Sequence, residues 1–288
     1  MTAPGSLKIP AIPAHSPARR SRDALAAAFG ALALKAGAVI MDVYARGCAV
    51  KIKGDGSPVS EADERAEAVI LEGLAQLMPG CVVIAEEQCA ASGIPVAPDE
   101  FSLVDPLDGT REFVSRNGEF TVNIAFISHG EPLAGAIFAP VLDRLWLGGD
   151  TACVMAAKPG AALPPLGERH AMATRPAARD RLVALASRSH GDAATAAFLD
   201  AMHVGDCRQA GSSLKFCRLA EGEADLYPRF GPTMEWDIAA GDAILRAAGG
   251  ITLAPGGAPM RYGKVAAGHK NTRFLALGDR SLAANCVF

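Results

Sequence analysis

The sequence predicts a layered α+β / α/β fold, with an antiparallel N-terminal sheet carrying helices and a smaller α/β half after it. Three observations predict this. Apolar residues recur at helical spacing from Ser21 to about Ala45. Three strand-like runs, Thr121 to Ile127, Leu133 to Phe138 and Arg144 to Leu147, follow one another across Gly- and Pro-containing turns, as neighbouring antiparallel strands do. From about Leu182 strand-like and helix-like segments alternate instead, the rhythm of an α/β unit.

The elements follow in order. Leu25, Phe29, Leu32 and Ala36 give the first helix one apolar face, and Asp23 complements the dipole at its start. Lys51-Ile52-Lys53 alternates and meets the turn signal Gly54-Asp55-Gly56-Ser57-Pro58. Ser60-Glu61-Ala62-Asp63 has the spacing of a capping box, and Ala66, Ile70 and Leu74 continue that second helix until Pro79-Gly80 ends it. Cys81 to Ala85 is a short apolar strand, followed by a polar, proline-containing loop to about Glu100. Phe101 to Val104 is another strand, and Pro106 and Gly109 stop regular pairing beyond it. In the later half Leu182 to Leu185 reads as a strand, Ala193 to Met202 as a helix, and Ser212 to Glu221 as a helix with Ser212 as N-cap. Leu226 to Phe230 is a strand, Trp236 to Ala248 a helix stopped by Gly249-Gly250, and Phe274 to Leu277 a late strand. The Pro- and Gly-containing stretch from Pro159 to Asp180 marks the expected boundary, dividing a tail (1–20) from halves at 21–158 and 159–288.

Composition narrows the class. Of 288 residues, 50% are hydrophobic, enough for a sizeable core. A net charge of −3 argues against binding a nucleic-acid polymer, but not against a small phosphorylated substrate whose charge metal ions can offset. The seven cysteines form no C-x-x-C pair and stand at no zinc spacing, which suggests reduced, mostly buried thiols in a cytoplasmic protein. No apolar run of about 18 residues stands out, so no membrane span is expected. The first twenty residues carry prolines and Arg19-Arg20 without the apolar core of a secretory signal, and read as a loose extension.

Function is signalled by carboxylates at positions expected to be buried. Asp105 directly follows the apolar Phe101-Ser102-Leu103-Val104, and Asp108 lies three residues on, across Pro106. Glu86 and Glu87 follow Val82-Val83-Ile84-Ala85 in the same manner. Asp237 shares a helix face with Ala240, Gly241, Ile244, Leu245 and Ala248. Taken singly each has an ordinary explanation: a turn, a solvated acid, a helix-start acid. Together they must either pair with cations or bind a hard divalent ion, because a buried ionised carboxylate is otherwise costly. The Leu107 carbonyl lies between the two aspartates, and Gly109-Thr110 lead into a short helix at Arg111-Glu112-Phe113, whose first backbone N–H groups would favour a phosphate.

These residues resemble the inositol monophosphatase superfamily of lithium-sensitive, magnesium-dependent phosphatases. The resemblance rests on Glu86-Glu87, on Asp105-Pro106-Leu107-Asp108-Gly109-Thr110 and on Trp236-Asp237-Ile238-Ala239-Ala240-Gly241. Within it the chain looks most like the bacterial 3′(2′),5′-bisphosphate nucleotidases, through Asp55 to Asp63, Arg116 to Ile124, Gly211 to Cys217 and Ala224 to Pro232. The resemblance implies an inositol monophosphatase-like αβαβα sandwich and removal of the 3′-phosphate of adenosine 3′,5′-bisphosphate, giving AMP and phosphate. It implies two or three Mg2+ ions. Glu86, Asp105 and the Leu107 carbonyl would hold one, and Asp105, Asp108 and Asp237 a second. Gly109 and Thr110 would meet the scissile phosphate through their N–H groups. Asp63 and Thr110 would activate the attacking water, held in line by Glu86 and Thr110. Ser212, Lys215, Arg229 and His190 match nucleotide-recognising positions. A homodimer is the family expectation. Departures are Ala85 before the acid pair, a short loop from Gln88 to Glu100 without aromatics between its ends, and the N-terminal tail. The shared metal motifs also suit an inositol phosphate or another sugar phosphate. A non-catalytic metal- or nucleotide-binding protein is the rival from another class, disfavoured by the complete acid set.

Overall fold

The computed structural model describes residues 21–47, 50–52, 58–188, 193–286 and 288. The expected tail, the turn at Gly54 to Ser57 and His190 lie outside the described residues.

In chain order the elements are α1 (Arg22–Arg46), β1 (Val50–Ile52), β2 (Pro58–Ser60), α2 (Glu61–Leu77), β3 (Val82–Ala85), α3 (Glu86–Ser92), β4 (Glu100–Asp108), α4 (Thr110–Val114), β5 (Thr121–Ser128), β6 (Glu131–Ala139), β7 (Arg144–Gly148), β8 (Ala152–Ala156) and β9 (His170–Ala171). There follow β10 (Val183–Ser187), α5 (Ala193–Ala201), β11 (Asp206–Ala210), α6 (Leu214–Ala220), β12 (Leu226–Arg229), β13 (Thr233–Met234), α7 (Glu235–Ala247), β14 (Ile251–Leu253), β15 (Lys270–Asn271) and β16 (Phe274–Leu277). A seven-stranded sheet runs β3-β4-β5-β6-β7-β8-β9, parallel between β3 and β4 and antiparallel elsewhere. A five-stranded sheet runs β11-β10-β12-β16-β14 and is mixed: β10 is parallel to β11 and β12, and β16 is antiparallel to its neighbours.

Strand alternation sorts the side chains into layers. Val122, Ile124 and Phe126 join Phe29, Ile40, Ile70 and Leu74 of α1 and α2 in one buried cluster. Ala125 and Ile127 point the other way, into a cluster with Phe216 of α6, Ile244 of α7, and Tyr227 and Phe274 of the second sheet. The opposite face of that sheet, through Leu226 and Leu275, meets Phe198 and Leu199 of α5. The order is therefore helices, sheet, helices, sheet, helix, the αβαβα sandwich expected.

Helix starts fall where local chemistry places them. Ser21 caps α1, its hydroxyl accepting from the Ala24 N–H at 3.1 Å. The capping box of α2 forms as spaced, Asp63 accepting from the Ser60 N–H at 2.8 Å. By length and composition α1 is a helix able to cross a membrane, contrary to the expectation that no such apolar run exists. In the fold it is a core helix, packed on α2, β5, β6 and β7.

Other expectations are corrected. Residues 86–92 form α3 rather than part of a loop: the Glu67 carboxylate accepts the Glu87 N–H at 2.8 Å, satisfying a donor of its first turn, and Gly93 at φ +83° ends it. Strand β4 continues through Pro106 to Asp108 by means of a bulge. Ser212 is not the N-cap of α6; that position falls to Ser213, without a side-chain cap bond, while Ser212 sits at φ +50° and turns its hydroxyl toward Asp108. Strands β2, β9 and β13 to β15, each of two or three residues, went unpredicted, as did the largely polar β11 and the apolar β8.

The seat of α7 is built from glycine. Gly135 of β6 and Gly148 of β7 are cross-strand partners. A Cβ at Gly135 would lie 2.6 Å from the Ala240 carbonyl oxygen, and one at Gly148 2.4 Å from the Ile244 Cα. Only bare backbone lets α7 lie this close to the sheet. Gly148→Ala is expected to destabilise the protein by about 1–3 kcal/mol through overpacking, measured as a lower thermal midpoint; an unchanged midpoint would contradict the close seat.

Candidate active site and metal centre

Parallel pairing of β3 with β4 aligns Ala85 with Val104, so the residues that follow, Glu86 at the start of α3 and Asp105 still within β4, stand side by side. Asp108 reaches the same end through the bulge. Asp105 pairs with Asn123 and Asp108 with Thr121, so Pro106 and Leu107 stand against Val122 alone. In a regular strand residues three apart face opposite sides; the extra residue reverses this and brings the two aspartates round together. Asp105 accepts the Leu107 N–H at 3.0 Å, which holds the kink. From the opposite layer α7 presents Asp237 at its third position, where it also accepts the Met234 N–H at 2.8 Å. The helix-start role and the inward position thus coexist.

The result is a cleft of about 240 Å³ lined by Glu86, Asp105, Leu107, Asp108, Gly109 and Thr110, with Ser212, Lys215, Arg229 and Asp237. Carboxylate oxygens of Glu86, Asp105 and Asp237 lie within 4.8 Å of one another. Asp108 lines the cleft outside that triad. Burial, then the charges of Glu86, Asp108 and Asp237, push the Asp105 carboxyl well above the usual carboxylate range. Burial, Asp108 and Glu86 do the same to Asp237, opposed by the Met234 N–H and Arg229. Among the described residues neither Asp105, Asp108 nor Asp237 forms a salt bridge. Of the two solutions for converging acids, pairing with a cationic side chain in a salt bridge is therefore not the one that Asp105, Asp108 and Asp237 adopt among the described residues. An all-oxygen donor set of this density, without Cys or His, fits a hard divalent cation.

Beside it, Thr110 opens α4 immediately after Gly109, whose φ of +93° makes the turn. The Thr110 hydroxyl lies 3.1 Å from Asp63 Oδ1 and 3.4 Å from the Leu107 carbonyl. Asp63 is buried; its other oxygen accepts from the Ser60 N–H and hydroxyl, both at 2.8 Å. Burial raises the Asp63 carboxyl, and the bonds from Ser60 and Thr110 pull it back. One aspartate caps a helix with one oxygen and faces the cleft threonine with the other.

The remaining expected residues fall in the cleft with less freedom than the sequence suggests. Lys215 is buried, donating to the carbonyls of Ala210 at 3.1 Å and Ser212 at 2.5 Å, beneath the Tyr227 ring. Burial lowers its ammonium to about 8, with the Asp108 charge opposing. Arg229 is partly exposed and donates to the carbonyls of Gly231 and Pro232. The Ser212 hydroxyl lies 2.7 Å from Asp108 Oδ2. Sequence reasoning missed Thr121, Asn123 and Ser213, which surround Asp108 and the start of α7. Thr121 and Asn123 are two polar residues at i, i+2 in an otherwise apolar strand, a signal that was available.

Layering and acid cleft together define a family of metal-dependent phosphatases. The sequence model of the inositol monophosphatase family matches residues 21–283. The chain is 44% identical over 233 residues to the 3′(2′),5′-bisphosphate nucleotidase CysQ of Escherichia coli strain K12, covering 80% of this chain and 91% of that protein. Among solved structures, CysQ from Bacteroides thetaiotaomicron superposes with a TM-score of 0.75 at 36% identity, covering 90% of this chain and 98% of that one. Inositol monophosphatase from Anabaena superposes with a TM-score of 0.66 at 26% identity, covering 90% and 91%. The chain belongs to the inositol monophosphatase family.

The raised carboxyls set the pH dependence of metal binding. An acid held above its ordinary pKa keeps its proton to higher pH than in the unfolded chain, and a cation must displace that proton. Metal affinity is therefore expected to fall as pH is lowered through the raised values of Asp105 and Asp237. The metal-free protein should lose stability as pH rises through them. Titration calorimetry in buffers of different ionisation enthalpy should show protons released on Mg2+ binding; binding without proton release and independent of pH would refute this.

Proposed function

We propose that this protein is a 3′(2′),5′-bisphosphate nucleotidase, a magnesium-dependent phosphomonoesterase that removes the 3′-phosphate of adenosine 3′,5′-bisphosphate to give AMP and phosphate. The observation that carries the chemistry is the convergence, in one cleft, of the Glu86, Asp105 and Asp237 carboxylates with the Thr110–Asp63 hydrogen bond. The nucleotide substrate is supported by similarity to CysQ over most of both chains.

Glu86, Asp105 and the Leu107 carbonyl would hold one Mg2+, and Asp105, Asp108 and Asp237 a second; the family resemblance allows for a third. Bound there, the ions supply positive charge to the phosphate oxygens and make a nearby water more acidic. The chain's own residues do the rest. Gly109 and Thr110 turn backbone N–H groups to the phosphate, and Glu86 and the Thr110 hydroxyl orient the attacking water. Its proton passes through that hydroxyl toward Asp63 Oδ1, which is held in place by Ser60. A P–O bond forms from the water as the bond to the ribose 3′-oxygen breaks, and the departing oxygen is reprotonated.

Arg229, partly exposed at the cleft, suits the 5′-phosphate, whose geometry its planar fork matches. Lys215 already gives two of its three donors to backbone carbonyls, so it adds positive charge beside Asp108 and fixes the turn that carries Ser212. Ser212 acts on substrate through that turn, and His190 is assigned to nucleotide recognition on family resemblance alone. A cytoplasmic homodimer completes the proposal, on family resemblance.

Phosphate release from adenosine 3′,5′-bisphosphate and from inositol 1-phosphate, compared with and without Mg2+, tests the substrate. Preference for the nucleotide, abolished without metal, is expected; preference for the inositol ester would sink the nucleotidase assignment. Thr110→Val keeps the shape of the side chain and removes its hydroxyl. It should lower kcat by about 10²–10⁴-fold, the usual range for a positioned acid–base group, with substrate KM little changed. A kcat near that of the unaltered enzyme would remove Thr110 from the relay.

A further inference from the structure

Between the end of β4 and the start of α7 lies a set of polar contacts in which Asn123 and Ser213 have no part in the proposed mechanism. Asn123, 1% exposed in the middle of the first sheet, is its hub. The amide nitrogen Nδ2 lies 3.3 Å from Asp108 Oδ2 and 3.0 Å from the Ser213 hydroxyl. The Ser213 hydroxyl donates to the Asp237 carbonyl at 2.6 Å. On the other side Asn123 Oδ1 lies 2.9 Å from the Thr121 hydroxyl, which lies 2.7 Å from that of Ser212. Ser212 closes the circuit at Asp108, 2.7 Å from Oδ2 and 2.9 Å from its carbonyl.

Donor and acceptor chemistry fixes the direction of the Asn123 side of this set; on the other side Thr121 and Ser212 have one proton each, so at most two of the Thr121–Asn123, Thr121–Ser212 and Ser212–Asp108 contacts are hydrogen bonds at once. An ionised carboxylate only accepts, so the nitrogen, not the oxygen, of the Asn123 amide must face Asp108. Its two N–H groups are then spent, one on Asp108 and one on Ser213. Ser213 uses its single proton on the Asp237 carbonyl. Ser212 and Asn123 both address Oδ2 of Asp108, and neither takes Oδ1. The carboxylate is thereby oriented by one oxygen while the other is left to a ligand.

We propose that Asn123 is a positioning residue of the metal centre, setting the Asp108 carboxylate and, through Ser213, the first turn of α7 that carries Asp237 in one registered arrangement. The juxtaposition is specific. Asp108 comes from the bulged end of β4 and Asp237 from a helix in another layer, and Asn123 reaches both within two hydrogen bonds. Glu86 and Asp105, held by the β3–β4 register, do not depend on it. Loss of the Asn123 amide should therefore weaken the ion shared by Asp108 and Asp237 and spare the one at Glu86 and Asp105.

This inference rests on the metal-dependent mechanism above, and the experiment separates the two. Mn2+ is the probe, with binding followed by electron paramagnetic resonance and calorimetry on the full chain, alongside the thermal midpoint of the metal-free protein. Asn123→Ala is expected to weaken by about 10–100-fold the Mn2+ step that Asp108→Asn weakens, the usual cost of losing a residue that orients a metal ligand. The other step should be kept, and the apparent KM for Mg2+ should rise while that for nucleotide holds. Ser213→Ala, which deletes one hydroxyl and should fold even if the strand variant does not, is expected to shift the same step. Asp108→Asn is the reference. If it leaves Mn2+ binding intact, the metal assignment itself is wrong. If it weakens binding while Asn123→Ala or Ser213→Ala, correctly folded, binds Mn2+ as the unaltered protein does, the positioning role is overturned and the metal assignment stands.

Discussion

Mutual repulsion among carboxylates gathered in a desolvated cleft is the constraint on which the rest of this structure depends. Glu86, Asp105 and Asp237 come from three elements, and their oxygens share a space less than 5 Å across. Asp105 is almost wholly buried, so its charge is costly on two counts, lost hydration and like-charged neighbours. Packing of the surrounding sheets and helices has to bear that cost. A divalent cation is the natural counterweight, since it replaces both hydration and repulsion with coordination.

Rigid geometry keeps the acids there. Parallel β3–β4 pairing fixes Glu86 against Asp105, and the β4 bulge turns Asp108 to the same side. Helix α7 lies on the glycine pair Gly135 and Gly148, which lets it approach the sheet closely enough for its first turn to meet the strand ends. A second buried network holds the far side of that helix start. Glu235, fully buried, accepts from the Gly263 and Lys264 N–H groups and pairs with Lys264 and His269. These bonds, with the Asn123 circuit, clamp the segment carrying Asp237 from two directions.

Double use of single residues recurs in the site. Asp63 and Asp237 each cap a helix; Asp237 also lines the cleft, and Asp63 accepts from Thr110, which lines it. Ser212 leaves its expected capping position for a left-handed conformation that delivers its hydroxyl to Asp108. Lys215 stabilises a turn while lending charge to the cleft. Such economy makes the ordinary structural account of each acid compatible with the proposed metal-binding role of the set.

The residue order alone determined the helix starts at Ser21 and Ser60, the inward face of Asp237, and the acids at the ends of two apolar strands, because capping and periodicity act over a few neighbouring residues. It also carried the family resemblance, since the acid motifs are contiguous. It did not reveal helix α3, whose first turn depends on Glu67 twenty residues earlier, nor the bulge that carries β4 past Pro106. Nor did it disclose that Asn123 and Ser213 join Asp108 to Asp237. Those features were decided by the tertiary structure alone, for a physical reason: strand register, a glycine seat and a hydrogen-bond circuit are relations between residues distant in the chain, and they exist only once the layers have packed.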